Sequence, residues 1–259
     1  VLSEVEHGME PQRVRTLLGN LGAKASSPVA QVFMTRHTPA VLSELSAPQL
    51  RVVRAAPEGH QVLSPGTSSA AQGAIRSYPA AFLAKTILIC EGASEVGLLL
   101  GIDRDMVDRG GASLKSLGIW CLEAGGGDAD RGFSRAEIFL SLGFRVAVFQ
   151  DNDKAPTAAA LQKCVKSGGE LCTWREGRAL EDELFASLPA AAVGALLDKA
   201  QELTEDGVVN AHIATVSNGK RTLEDVLQEG RRGSYSDATR AVLGRPPRMR
   251  KTGWFKPGG

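Results

Sequence analysis

Two short apolar runs, each closed by acidic residues, set the strongest limit on how this chain folds. Thr86-Ile-Leu-Ile-Cys90 leads into Glu91-Gly-Ala-Ser-Glu95, and Arg145-Val-Ala-Val-Phe-Gln150 leads into Asp151-Asn-Asp153. Short, β-branched runs without polar alternation read as strands buried on both faces, the habit of a parallel sheet. Open parallel sheets carry their sites beyond the carboxyl ends of the strands. Carboxylates gathered there repel one another unless a cation stands between them. An all-oxygen donor set selects a hard divalent ion, Mg²⁺ or Mn²⁺.

The surrounding chain repeats the same unit. Between residues 80 and 187, strands are predicted at 86–91, 118–123, 145–151 and 170–174. They alternate with helices at 94–108, 131–142 and 155–166, and an acidic helix start follows at Leu180-Glu-Asp-Glu-Leu184. Such alternation predicts an α/β fold, a Rossmann-like parallel sheet flanked by helices. Residues 1–55 show a second, partial α/β pattern, with strands at 1–5, 31–35 and 50–54 and a helix at 11–21 that starts on Pro11. Residues 56–79 are rich in Gly, Ser, Pro and Ala and read as a linker. Residues 188–243 lose the strand signal and predict a helical subdomain, with helices at 190–203, 222–228 and 236–243. Residues 244–259 form a basic tail expected to be irregular.

A net charge of +1 over 259 residues gives no global attraction to nucleic acid. From Lys220 onward, however, ten Lys/Arg face four Asp/Glu, a local excess of six positive charges. The four cysteines, Cys90, Cys121, Cys164 and Cys172, lack zinc-ligand spacing and read as reduced thiols of a cytoplasmic protein. No apolar run is long enough to span a bilayer, since Lys85 interrupts the best one. The first residues lack the basic region of a signal peptide, and the chain reads as starting in mid-fold.

Within the acidic cluster, Glu91 and Glu95 flank a turn eased by Gly92, with Ser94 as the expected helix N-cap. Asp151 and Asp153 are two apart at a strand end and are expected to point the same way, with Asn152 opposite. One acid among Glu181, Asp182 and Glu183 is a further candidate ligand. Gly125–Gly127 reads either as an N–H nest for phosphate or as a plain loop.

The pattern ILICEGASE followed by VAVFQDND resembles a TOPRIM domain, the fold shared by topoisomerases, primases and certain nucleases. The second acid in Glu-Gly-x-Ser-Glu, the segment Ala179-Leu-Glu-Asp-Glu-Leu-Phe185 and the ending Lys251-Thr-Gly-Trp-Phe-Lys256 are similar to the OLD (overcoming-lysogenization-defect) family of nucleases. The resemblance extends upstream to the back end of an ABC-type ATPase. Val1-Leu-Ser-Glu-Val-Glu looks like a Walker B strand, with Glu4 matching the catalytic glutamate and Ser3 standing where an Asp is expected. Gln31-Val-Phe-Met-Thr-Arg-His-Thr-Pro39 looks like the switch-histidine segment with His37, although Arg36 and Thr38 depart from the usual pattern. The chain has no Gly-x-x-x-x-Gly-Lys-Ser/Thr loop, so no ATP hydrolysis is expected of it alone.

The resemblance implies endonucleolytic hydrolysis or nicking of DNA by two metal ions about 4 Å apart. Glu91, Asp151 and Asp153 are expected at one ion, and Glu95 and Glu181 at the other, with Asp153 or Ser94 able to contribute. Lys256 is expected to place positive charge on the phosphorus centre. Trp254 and Phe255 are expected to pack on the core rather than stack on a base. DNA is the expected partner, with a second copy or the missing ATPase half as protein partner and no membrane. The competing expectation is a non-cleaving DNA-binding or regulatory remnant. A topoisomerase is disfavoured because neither Tyr78 nor Tyr235 sits in a nucleophile's context.

Overall fold

A computed structural model describes residues 2–3, 9–25, 31–35, 38–248 and 253–255. The chain divides into two compact units, Val1–Gln150 with Ala155–Thr173, and Asp151–Lys154 with Trp174–Gly259.

In the first unit, β1 (Leu2–Ser3) pairs in parallel with β2 (Met34–Thr35), and α1 (Pro11–Asn20) lies between them in sequence. Pro11 opens α1 where a missing N–H costs nothing. Val14 and Leu18 bury one side of α1 against Val41 of α2 (Pro39–Leu42).

Residues 56–79 are not the irregular connector that their composition suggests. β3 (Val52–Ala56) and β4 (Gly59–Leu63) form an antiparallel hairpin, and α3 (Ser69–Ser77) follows. The small and polar residues serve the structure itself. Gly59 takes a φ of +123°, which side chains resist. Ser68 Oγ accepts the Ala71 N–H at 3.1 Å as an N-cap. Ala71, Ala74 and Ile75 are buried in the same core as the strands that follow. The hairpin is fastened by Arg54, whose Nε donates to the Leu142 carbonyl at 3.2 Å. Its guanidinium lies 4.0 Å from the centre of the Phe144 ring.

The remainder of this unit is β5 (Thr86–Cys90), α4 (Ala93–Asp108), β6 (Ile119–Glu123), α5 (Arg131–Ser141), β7 (Arg145–Gln150), α6 (Ala158–Lys166) and β8 (Glu170–Thr173). The four strands form one parallel sheet in the order β6-β5-β7-β8, flanked by helices as predicted. In register, Cys90 stands opposite both Glu123 and Phe149. Ile87, Ile89, Val146 and Val148 share one face of the sheet and are buried there, while Thr86, Leu88, Ala147 and Phe149 on the opposite face are half-buried. α5 approaches the sheet closely at Gly132, where a Cβ would meet Val148 Cγ1 at 2.9 Å. Phe133, Ala136 and Phe139 of α5 are buried in the same core as the strands.

The second unit consists of α7 (Leu180–Ser187), α8 (Ala190–Leu203), α9 (Val208–Val216), α10 (Leu223–Arg231) and α11 (Asp237–Leu243). Its core gathers Phe185, Val193, Leu197, Ile213, Leu243 and Trp254. α9 was not predicted, because Val208-Val-Asn-Ala-His-Ile-Ala-Thr-Val216 is rich in β-branched residues that lower helix propensity. The tail is not wholly irregular. Pro246–Arg248 forms a 3-10 turn, and Trp254 is fully buried, packed on the core as expected. The Trp254 Nε1–H donates to His212 Nδ1 at 3.1 Å, and its ring meets Phe185 edge-on at 6.1 Å. Among the described residues no helix is long and apolar enough to cross a membrane.

Candidate functional site

The strand order makes a topological switch point. From β5 the chain crosses to β6 on one side, and from β7 it crosses to β8 on the other. Crevices at the carboxyl ends of such strand pairs are where open α/β sheets bind ligands. β5 ends at Cys90 and Glu91 follows directly, while β7 ends at Gln150 and Asp151 follows directly.

Glu91 is held through its backbone on both sides. Its N–H donates to the Phe149 carbonyl at 2.9 Å, and its carbonyl accepts the Gly126 N–H at 2.8 Å. Gly125, Gly126 and Gly127 all have left-handed φ, at +95°, +62° and +82°. Arg131 Nη1 donates to the Gly125 carbonyl at 3.0 Å. The glycine loop therefore folds over Glu91, and the Gly126 amide serves that contact rather than a three-amide phosphate nest.

The N-terminus of α4 differs from the expected arrangement. Gly92, not Ser94, is the N-cap, and Glu95 at the third helical position accepts the Gly92 N–H at 2.8 Å through Oε2. This is the reciprocal half of a capping box, and it accounts for a carboxylate only 4% exposed. Nearby, burial raises the Cys90 thiol to about 12, with Cys121, Glu95 and Glu123 adding to the effect. Cys90 is thus protonated near neutral pH and is no nucleophile. Cys90 and Cys164 are buried, Cys121 is half-buried and Cys172 exposed, and all four are free thiols.

In the second unit, Asp151 Oδ1 accepts the Leu180 N–H at 2.8 Å, filling one of the orphan amides at the start of α7. Asn152 is bound at three points. Its N–H donates to the Arg178 carbonyl at 2.8 Å, its carbonyl accepts the Gly177 N–H at 3.0 Å, and its Nδ2 donates to the Trp174 carbonyl at 2.9 Å. Asp153 is exposed.

The three acids of α7 differ in their surroundings. Asp182 Oδ2 accepts the Ala179 N–H at 3.1 Å, one half of a capping box, since the alanine side chain offers no acceptor in return. Glu183 receives Arg175 Nε at 2.9 Å and Arg178 Nη1 at 3.1 Å, and shares a contact with Ser187. The Arg175 guanidinium, opposed by burial and aided by Ser187 and Arg178, lowers the Glu183 carboxyl to about 2. Glu181 is half-buried in the first turn of the helix.

The acids predicted as ligands are thus divided, Glu91 and Glu95 in the first unit, and Asp151, Asp153 and Glu181 in the second. Among the described residues no group of three or more His, Cys, Asp or Glu side chains is placed so that it could hold a metal ion. Lys256 lies outside the described residues, as do Glu4, Arg36 and His37 of the ATPase-like segments. No protein-family model matches the chain, and no curated protein matches it either.

Sequence reasoning missed Asn152, Arg175 and Arg178 as anchors. Asn152 reaches a residue 22 positions away, a partner that no local pattern announces. The two half-boxes were not announced by the sequence, since Gly92 and Ala179 lack the side-chain acceptor that marks a capping box.

Proposed function

We propose that the chain is a TOPRIM-type, OLD-like endonuclease that hydrolyses DNA phosphodiester bonds with Mg²⁺ or Mn²⁺. The observation that carries the proposal is the coincidence of acids with the switch point: Glu91 follows β5 and Asp151 follows β7. The donor chemistry suits the group. Glu91, Glu95, Asp151, Asp153 and Glu181 offer only carboxylate oxygens, the ligands of hard divalent ions. These five acids are the proposed metal ligands. When bound, such ions supply an activated water and neutralise charge at the phosphorus.

The chain's own residues do the positioning. The backbone hydrogen bonds of Glu91 fix where its carboxylate starts. The Asp151–Leu180 bond ties the acidic turn to α7, on which Glu181 lies. Arg175 and Arg178 engage Glu183, and Asp182 accepts the Ala179 N–H, which supports Glu181 as the metal-binding acid among the three of α7. Lys256 is assigned charge stabilisation at the phosphate, and the Lys/Arg excess after residue 220 is assigned to tracking the DNA backbone. The protein would work in the cytoplasm, with a second copy or a separate ATPase half as its protein partner.

One observation favours a second function, a DNA-binding or regulatory protein that does not cut: the described residues hold no gathered three-donor group. Incubation of supercoiled plasmid with the protein, with Mg²⁺ or Mn²⁺ and without ATP, separates the two. Nicking abolished by EDTA supports the nuclease. Plasmid retarded on a gel but left uncut with either ion supports the non-cleaving alternative.

A further inference from the structure

We infer that Asn152 is a positioning residue for the proposed metal site, an inference that rests on the nuclease function proposed above. Asn152 stands between the two acids of the Asp-Asn-Asp turn and is bound away from them. Its side-chain amide donates to the Trp174 carbonyl at 2.9 Å, and its backbone exchanges hydrogen bonds with Arg178 and Gly177 at 2.8 and 3.0 Å. All three contacts reach one short segment, residues 174–178, which is closed by a turn from the Arg178 N–H to the Arg175 carbonyl at 3.1 Å.

That segment is itself fixed to α7. Arg175 and Arg178 both engage Glu183, Arg175 Nε at 2.9 Å and Arg178 Nη1 at 3.1 Å. α7 in turn donates its Leu180 N–H to Asp151 at 2.8 Å. The contacts close a ring. It runs from Asp151 to Leu180, along α7 to Glu183, across to Arg175 and Arg178, back through residues 174–178 to Asn152, and so to Asp151 again. Every member belongs to the second unit.

The Asp151-Asn-Asp153 turn at the end of β7 carries two like charges two residues apart, and their repulsion opposes a fixed arrangement of the two carboxylates. The ring removes that freedom at the residue between the two acids. Asn152 suits the task where Asp or Ser would not. Its amide donates to a carbonyl, which a carboxylate cannot do, and it reaches further than a hydroxyl. The Trp174 contact is the one link that depends on the identity of the side chain at 152, because the other two use backbone atoms. Outer partners that orient metal ligands are worth about 10- to 100-fold in metal affinity or activity.

The test uses the full 259-residue chain. Mn²⁺ binding is measured by titration calorimetry for wild type, Asn152→Ala and Asn152→Leu, the last keeping the branched outline of the side chain while removing the donor. Melting curves of each show that the fold is kept, and Asn152→Gln tests whether a restored amide recovers binding. The expected result is Mn²⁺ affinity at least about 10-fold weaker in Ala and Leu, with partial recovery in Gln. In plasmid nicking, the Mn²⁺ concentration for half-maximal rate rises by the same factor, while the rate at saturating Mn²⁺ falls less. Wild-type binding matched by equally tight binding in Ala and Leu overturns the role of Asn152 and leaves the metal site standing. No Mn²⁺ binding by wild type overturns both.

Discussion

The carboxylate of Asp151 accepts the backbone N–H of Leu180 at 2.8 Å, so a residue proposed as a metal ligand also caps the helix that carries Glu181. The two roles separate by substitution. Asp151→Asn keeps an oxygen acceptor for Leu180 and loses the charge, whereas Asp151→Ala loses both. Asp151→Ala is expected to cost about 1 kcal/mol of stability, the usual price of a lost cap, and Asp151→Asn only a few tenths. Both are expected to lose DNA cleavage. Thermal melting beside a nicking assay reads the two effects, and equal melting temperatures for Ala and Asn would contradict the capping role.

Glu95 also combines a cap with a proposed ligand. Glu95→Gln retains an acceptor for the Gly92 N–H and is expected to melt close to wild type. Glu95→Ala opens the capping box and leaves a small void at a buried position, a loss of about 1–2 kcal/mol. Urea unfolding of both variants measures the difference.

Glu183 gives the molecule a pH dependence with a definite sign. Its folded carboxyl titrates at about 2, held down first by Arg175, against an ordinary value of about 4.3. The stabilisation is therefore complete above the ordinary value and is lost as pH falls through about 2. Glu183→Gln should flatten the loss of stability between these limits, followed by circular dichroism in acid. Arg175 and Arg178 are partly solvated, so the cost near neutral pH is small. Mn²⁺ binding should survive in Glu183→Gln at a modestly reduced affinity. Complete loss would reassign Glu183 as a ligand.

Trp254 anchors the tail to the helical core. Trp254→Ala should destabilise the protein by about 3–5 kcal/mol, as expected for truncating a fully buried aromatic residue. Trp254→Phe should keep most of the packing against Phe185 and lose the hydrogen bond to His212, at about 1–2 kcal/mol. Denaturant melts of the two variants test the order and the spacing.

The central strands β5 and β7 were legible in the sequence because they are short and apolar, and local composition agrees with tertiary burial at Ile87, Ile89, Val146 and Val148. The hairpin at residues 52–63 was half-hidden. Its β4 strand exposes Gly59, His60, Gln61 and Val62, and Arg54 reaches Leu142, 88 positions away, and the Phe144 ring, which no local period reveals. The acidic positions were equally plain, but their local roles were not. Ser94 and Gly92 are both acceptable N-caps by type, and only the Glu95 side chain bonded to the Gly92 amide decides between them. The Asn152 ring stayed invisible because the links that close it, Asn152 to Trp174 and Asp151 to Leu180, span 22 and 29 positions.

The most direct test of the central claim compares cleavage of supercoiled plasmid by wild type, Glu91→Gln and Asp151→Asn at fixed Mn²⁺, without ATP and with an EDTA control. Both substitutions remove a charge while keeping the shape of the side chain. The expected result is nicking by wild type that EDTA abolishes, and a drop to background in each variant. Nicking that persists undiminished in both variants, or no nicking by wild type with either Mn²⁺ or Mg²⁺, would contradict a metal-dependent nuclease built on Glu91 and Asp151.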